Sequence, residues 1–215
     1  MQRLRVEFAK LGWLRFTGHL DLARAWERML RRAALPLAYS LGHTPQPRVN
    51  LAAALPLGFS SQCELMDIWL EQPVEPADAL DRLNRAALPG LLVRHVVEAP
   101  LSEPSLQSQL EAIEYLVTVP DGEISAGRLG TLMAAETLPR ERRGKQYDLR
   151  PLIQDLWSGQ PGEIGMRLVA RPSATGRPDE VLQALEYDAT RAGVHRTRLV
   201  LRAPAGTPDQ PLGPP

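Results

Sequence analysis

The sequence predicts an α+β protein composed of two similar halves. Strand-like and helix-like segments follow one another in the order β-α-β-β-α-β on both sides of a Pro- and Ser-rich stretch, "APLSEPSLQSQ" (99–109). The 215 residues are 44% hydrophobic and 23% charged, a globular composition long enough for two cores. This order is that of a ferredoxin-like unit, so we expect two tandem ferredoxin-like halves. The predicted boundaries are 1–98 for the N-terminal half, 99–111 for a linker, 112–202 for the C-terminal half and 203–215 for a disordered tail.

The N-terminal half contains the most regular segments. Apolar residues alternate in "RLRVEFA" and predict a strand over 3–9. In "HLDLARAWERMLRRAA" (19–34), apolar residues such as Trp26 and Met29 recur at helical spacing, and Pro36 ends the helix. The other predicted elements are strands over 49–55, 63–71 and 91–98 and a helix over 75–88.

The C-terminal half repeats the order less regularly. Strand patterns alternate with helix patterns, but the second strand is short and strongly charged. The predicted strands cover 112–119, a short segment near 140–147, 163–170 and 195–201, and the predicted helices cover 125–136 and 177–186.

Cysteine content and hydropathy exclude several classes of protein. Cys63 is the only cysteine, which excludes an internal disulfide, a cysteine-based zinc site and an iron–sulfur cluster held by this chain alone. No apolar run approaches the roughly 20 residues that a membrane span needs, and "MQRLRVEF" alternates instead of forming a signal-peptide core. We therefore expect a cytoplasmic protein with no membrane contact, no metal site and no cofactor of its own.

Positive charge is concentrated at the start of the chain. Residues 1–50 carry nine Lys and Arg against three acidic residues, a net charge of +6, although the whole chain is neutral. Arg24, Arg28 and Arg31 are three and four residues apart, which places them on one side of the first helix. Guanidinium groups match phosphate oxygens, so this stripe is a candidate for phosphate binding. The alternative is a solvated helix face whose cations complement the helix dipole.

The segment after this helix, "YSLGHTPQPRVNLAAALPLG" (39–58), contains three prolines and two glycines. Because prolines stiffen the backbone, this loop is predicted to form a rigid binding surface beside the basic helix. In it Tyr39 and His43 could stack on bases or form hydrogen bonds with them, while Arg48 and the earlier Arg15 bind phosphates. The alternative is a hairpin crossover that is rich in proline.

The four histidines include two that could transfer protons. His19 and His43 flank the first helix, and a histidine pair suggests acid–base cleavage of RNA. They meet only if the loop folds back along the helix, because each helical residue adds about 1.5 Å. His19 is otherwise expected to cap or pack. His95 and His195 lie in strand patterns and are expected to be structural.

Further candidates lie in "YDLRPLI" (147–153) and "GRPDEV" (176–181). Arg150 and Arg177 could contact phosphate, although Arg150 could instead pair with Asp148. Asp21, Asp148 and His19 are the candidate catalytic residues. The sequence has no phosphate-loop, dinucleotide, Ser-His-Asp or HExxH signature.

Several stretches resemble the radical SAM-linked proteins, a family of uncharacterised domains that occur alone or after a cobalamin-binding radical SAM region. They are "RFTGHLDL" (15–22), the segment from Glu27 to Pro36, "ALPLG" (54–58), "DLRPLI" and "RPDEV". The resemblance spans residues 3–186. It implies a radical SAM partner that carries the iron–sulfur cluster, S-adenosylmethionine and cobalamin, because this chain has too few cysteines to hold a cluster.

One position departs from the family pattern. The family loop reads Gly-Phe-Asn-Pro-His-Pro, whereas this chain has Gln46 in place of the histidine. Glutamine is neither an acid nor a base near neutral pH, so it can bind but cannot transfer a proton.

The resulting expectation is an accessory protein that binds RNA or presents a substrate to a radical SAM partner, without catalysis by this chain alone. The β-α-β-β-α-β order is also similar to CRISPR repeat-associated RNA-binding proteins, and the tandem halves are similar to pseudouridine synthases. The alternatives are therefore an RNA-modifying or RNA-cleaving enzyme, or a protein-binding scaffold that uses the acidic middle of the chain.

Overall fold

The computed structural model describes residues 1–120, 124–142 and 144–202, and His19 is described through its backbone only. The predicted tail, 203–215, lies outside the described residues. The fold is α+β, with a nine-stranded mixed sheet, a separate two-stranded hairpin and five α-helices in the part described. No helix in these ranges is long and apolar enough to cross a membrane.

The N-terminal half consists of β1 (Gln2–Lys10), α1 (His19–Arg32), β2 (Val49–Leu51), β3 (Ser60–Leu70), α2 (Pro76–Ala86) and β4 (Leu91–Glu98). Its strands form a four-stranded antiparallel portion of the sheet in the order β2-β3-β1-β4. Apolar residues on one face of β1 and β3 pack against the two helices, with Phe8 and Trp26 in edge-to-face contact at 4.8 Å between ring centroids. Alternation and helical spacing therefore predict these elements correctly, although β2 is shorter than expected.

The predicted linker packs against the other face of this sheet. It contains a short helix, α3 (Leu106–Gln109), whose Leu106 is fully buried with Leu65 of β3. Arg3 of β1 donates to the backbone carbonyls of Pro100, Glu103 and Pro104 at 3.2, 2.6 and 3.0 Å. Residues 99–109 are thus part of the sheet's packing, and the division into two domains at this segment stays a prediction.

The C-terminal half consists of β5 (Leu110–Thr118), α4 (Ala126–Ala134), β6 (Pro139–Arg142), β7 (Lys145–Asp148), β8 (Ile153–Ser158), β9 (Glu163–Arg171), β10 (Ala174–Thr175), α5 (Pro178–Ala184) and β11 (Gly193–Leu201). Four of its strands continue the sheet in the order β8-β9-β5-β11. The predicted strand near 140–147 is wrong as a sheet strand, because that segment forms a separate hairpin of β6 and β7. The second strand that the C-terminal half contributes to the sheet is β8, which was not predicted from the sequence.

The two halves join into one sheet through a short parallel contact between β3 and β11. Ser60 and Ser61 pair with His195 and Arg196. The guanidinium of Arg196 is 1% exposed and donates to both oxygens of Glu64 at 2.8 and 3.0 Å. A buried, doubly hydrogen-bonded ion pair therefore fixes the junction of the halves.

Candidate nucleic-acid interface

The predicted arginine stripe lies on the exposed side of α1. Trp26 and Met29 are buried in the core, and Arg24, Arg28 and Arg31 project on the opposite side. Arg24 pairs with Asp21 at 3.4 Å, and both side chains are 68% exposed. Among the described residues, Arg28 and Arg31 have no ion pair or side-chain hydrogen bond. Two cations on this face are therefore available to an external anion.

A shallow groove of about 330 Å³ lies beside these arginines. Its surface is almost entirely apolar and is formed by Ala25, Leu88 and the aliphatic parts of three arginines, Arg28, Arg31 and Arg32. Arg32 also donates to the carbonyl of Ala86 at 2.6 Å, which ties α1 to the end of α2. The groove is thus an apolar depression whose bordering arginines are exposed, an arrangement suited to an anion that also has an apolar part.

A 3₁₀ helix, Gly12–Phe16, precedes α1 and carries an aromatic cluster that the sequence analysis missed. Trp13 is 87% exposed and Phe16 is 52% exposed, with 5.9 Å between ring centroids. The Arg15 guanidinium lies 4.7 Å from the centre of the Phe16 ring. The sequence "GWLRF" could have indicated this cluster, because it contains two aromatic residues and an arginine. It continues neither the apolar pattern of the preceding strand nor that of the following helix.

The proline-rich loop forms a closed hairpin. The Ser40 amide donates to the Gln46 carbonyl at 2.8 Å, and Tyr39 pairs with Pro47. His43 is exposed at the tip of this hairpin, and Tyr39 is 41% exposed. The loop therefore agrees better with the alternative prediction, a proline-rich hairpin, than with a rigid surface that lies beside α1.

Arg48 lies on the opposite side of the sheet from α1. Its guanidinium stacks over the Trp69 ring at 5.2 Å, and the Arg3 guanidinium lies 5.3 Å from the same ring. Trp69 shares its sheet face with Asp67 and Arg3, whereas α1 packs on the other face. The structure does not bring Arg48 together with the arginines of α1.

Arg150 and Asp148 have structural roles. The Arg150 guanidinium donates to the carbonyls of Met133 at 2.8 and 3.1 Å and of Ile153 at 2.9 Å. Asp148 Oδ1 accepts from the backbone amides of Leu138 at 2.7 Å and Arg150 at 2.9 Å. These contacts replace the predicted pairing of the two side chains and leave the guanidinium occupied by backbone carbonyls.

The other candidates are dispersed. Arg177 is exposed at the start of α5 in the C-terminal half, and Asp21 is exposed on α1. The side chain of His19 lies outside the described residues. The structure therefore does not gather Asp21 and Asp148 into one acid–base site.

A serine–histidine contact lies at the junction of the halves. Ser60 Oγ is 2.8 Å from His195 Nδ1, and His195 Nε2 is 3.3 Å from Gln62 Oε1. Burial lowers the pKa of His195, and the charge of Arg94 acts in the same direction. The third member is a neutral amide, which stabilises an imidazolium less well than a carboxylate does. The contact is best explained as a link between β3 and β11.

Cys63 lies beside this junction. Burial raises the pKa of its thiol to about 12, so the thiol stays protonated near neutral pH. Among the described residues, no three His, Cys, Asp or Glu side chains are grouped as a metal site requires. The exposed arginines and aromatic rings near α1 are therefore the feature best suited to bind a ligand.

Comparisons with known proteins identify a family. No curated protein matches this chain. Among solved structures, one that is similar is the crystal structure of a Cbf5-Nop10-Gar1 complex, with a TM-score of 0.44 and 10% identity over 91% of this chain. The match covers 48% of that chain, so this protein spans about half its length. The model of a family of uncharacterised proteins conserved in bacteria (DUF2344) matches residues 3–178, and the chain belongs to that family.

Proposed function

We propose that this protein is an accessory module that binds RNA, or presents a substrate, and acts with a radical SAM protein. The observation that carries the RNA proposal is the exposed face of α1, where Arg28 and Arg31 border an apolar groove without an ion pair among the described residues. Phosphate binding by such cations releases counterions and supplies affinity without a base-specific contact.

The spacing of the arginines supports contact with successive phosphates. Arg24 and Arg31 are seven residues apart, which corresponds to about 10 Å along a helix. Arg28 lies between them on the same side. Planar guanidinium groups in a row can each take one phosphate, and the apolar groove beside them can accept part of a base or sugar.

The radical SAM partner is supported by the motif resemblance, which includes "RFTGHLDL" and "DLRPLI". The partner supplies the iron–sulfur cluster, S-adenosylmethionine and cobalamin, since Cys63 alone cannot hold a cluster. The test is to isolate the protein from its native cells after crosslinking. A partner with a cluster-binding cysteine motif supports this part of the proposal, and repeated isolation without one contradicts it.

Each half is proposed to be a ferredoxin-like unit, with limits at 1–98 and 112–202. The support is the strand order, in which the first strand of each half lies between the third and the fourth: β2-β3-β1-β4 and β8-β9-β5-β11. In both halves helices follow the first and third strands. In the N-terminal unit so defined, α1 packs on the sheet with one side and exposes its arginines on the other.

The RNA proposal is tested by fluorescence anisotropy with a labelled RNA of mixed sequence. We expect the double variant Arg28→Gln/Arg31→Gln to bind more weakly than the parent, because two phosphate contacts are lost. The matched control is Arg94→Gln/Arg171→Gln, which removes two exposed arginines that do not lie on α1. Equal affinity of all three proteins at low salt, or no RNA binding by the parent, would contradict the proposal.

A further inference from the structure

We propose that the 3₁₀ helix Gly12–Phe16 is a stacking platform for an unpaired RNA base, so that the α1 face selects single-stranded over double-stranded RNA. This inference rests on the proposed RNA binding. It adds the class of RNA and a second contact whose energy does not depend on charge.

The aromatic cluster is organised as a surface rather than as scattered exposed side chains. Single exposed apolar residues are common in proteins and need no function. Here the Trp13 and Phe16 rings contact each other, and the Arg15 guanidinium stacks on Phe16. A base stacks favourably on both an aromatic ring and a guanidinium plane.

The platform is held in place without burying its rings. No residue of the 3₁₀ helix is buried. The Gly58 amide donates to the Arg15 carbonyl at 2.9 Å, and Lys10 Nζ donates to the Thr17 carbonyl at 2.9 Å. Lys10 is 0% exposed, and burial lowers its pKa. A buried lysine is costly, and here it fixes the backbone that presents the rings to solvent.

The turn that follows α2 connects the backbone of the 3₁₀ helix with the arginine groove. The Leu11 amide donates to the Gly90 carbonyl at 2.7 Å, and Gly90 has a φ of +88°. A Cβ at Gly90 would lie 2.6 Å from the Leu11 carbonyl oxygen, so glycine permits this close approach. Leu88, two residues earlier, lines the groove with Arg28. The residues of one turn therefore contact Leu11, which directly precedes the 3₁₀ helix, and line the groove.

Charge complementarity identifies the occupant. Arg15 stacks on the exposed Phe16 ring, and Arg28 and Arg31 are exposed on the helix that follows, which favours a polyanion with aromatic faces. In duplex RNA the base faces are already stacked on each other, whereas an unpaired base can turn onto Trp13. A single-stranded RNA satisfies both requirements at once.

The experiment compares two RNA probes and four proteins by fluorescence anisotropy. The probes are a 12-nucleotide single strand and a hairpin duplex. The proteins are the parent, Trp13→Ala, Trp13→Phe and Leu41→Ala, the last being a control because Leu41 is fully exposed on the distant hairpin. We expect Trp13→Ala to weaken single-strand binding about 5- to 150-fold and duplex binding much less. Trp13→Phe keeps an aromatic face and should stay near the parent, as should Leu41→Ala.

A strand with abasic sites provides an independent check. Removing the bases should weaken binding by the parent but should add little to the defect of Trp13→Ala, since both changes remove the same stacking contact. The inference is overturned if Trp13→Ala binds the single strand as tightly as the parent while Arg28→Gln/Arg31→Gln does not; the proposed RNA binding then stands alone. Loss of a protein partner in Trp13→Ala with unchanged RNA affinity would also overturn it, in favour of protein docking. Absence of RNA binding by the parent overturns both proposals.

Discussion

The arginines of the sheet and the arginines of α1 have opposite environments. Arg3 of β1 is 2% exposed and bonds to the fully buried Asp67, and Arg196 of β11 is 1% exposed and bonds to Glu64. Arg28 and Arg31 of α1 are exposed. The same residue type therefore stabilises the fold in one region and remains available to a ligand in the other.

Because of this difference, the net positive charge of residues 1–50 overestimates the charge that is available to a ligand. The excess of +6 in residues 1–50 includes Arg3, Arg5 and Lys10, which bond to Asp67, Glu103 and backbone carbonyls. Only part of the positive charge can attract an anion. The predictions that follow separate the structural cations from the exposed ones.

The largest effect is expected from Asp67→Asn. This substitution removes the charge shared by Arg3 and Arg5 and leaves two cations in a largely buried site. Breaking a buried ion pair on one side typically costs about 3–5 kcal/mol of the free energy of unfolding. Urea denaturation followed by circular dichroism measures the change. Asp78→Asn is the control, since the exposed ion pair of Asp78 with Arg82 should contribute less than about 1 kcal/mol to stability. Equal losses of stability in the two variants would contradict the distinction between buried and exposed arginines.

A somewhat smaller loss is expected from Leu106→Ala. Leu106 is fully buried in the predicted linker, and truncating a buried leucine typically costs about 2–5 kcal/mol. Leu101→Ala, in the same segment, should change stability little because Leu101 is 55% exposed. The same denaturation assay applies to both. If Leu106→Ala is as stable as the parent, residues 99–109 are a dispensable connection rather than part of the packing.

The smallest effect on stability is expected from the triple variant Arg24→Gln, Arg28→Gln and Arg31→Gln. Exposed side chains away from special contacts usually change stability by no more than about 0.5 kcal/mol each. Thermal unfolding should therefore leave the melting temperature almost unchanged. A large decrease in the melting temperature would mean that these arginines stabilise α1. It would contradict the contrast with the structural arginines of the sheet.

The predictable parts of the fold are those with a regular apolar pattern. β4 begins and ends at the predicted residues 91 and 98, and α1 differs from its predicted range by two residues at one end. β8 was missed because a register shift between Ile153 and Asp155 breaks the alternation of its buried residues. The packing of residues 99–109 also escaped prediction, because a Pro- and Ser-rich composition describes the local chain and not the surface on which it lies.

The candidate site was predictable in part for a similar reason. Helical spacing places Arg24, Arg28 and Arg31 on one side, and that side is exposed. The role of Arg150 could not be predicted, because its acceptors include the carbonyl of Met133, 17 residues away. The exposed aromatic cluster around Trp13 escaped prediction because the backbone contacts that hold it, including that of Leu11 with Gly90, are made only in the folded chain.

The most direct test of RNA binding by α1 is the salt dependence of RNA affinity. For single strands, log K falls with log salt concentration by about 0.7 for each neutralised phosphate. The triple variant of Arg24, Arg28 and Arg31 should therefore have a slope about 2 smaller in magnitude than the parent. Identical slopes for the two proteins would show that these arginines do not contact phosphate and would contradict the account.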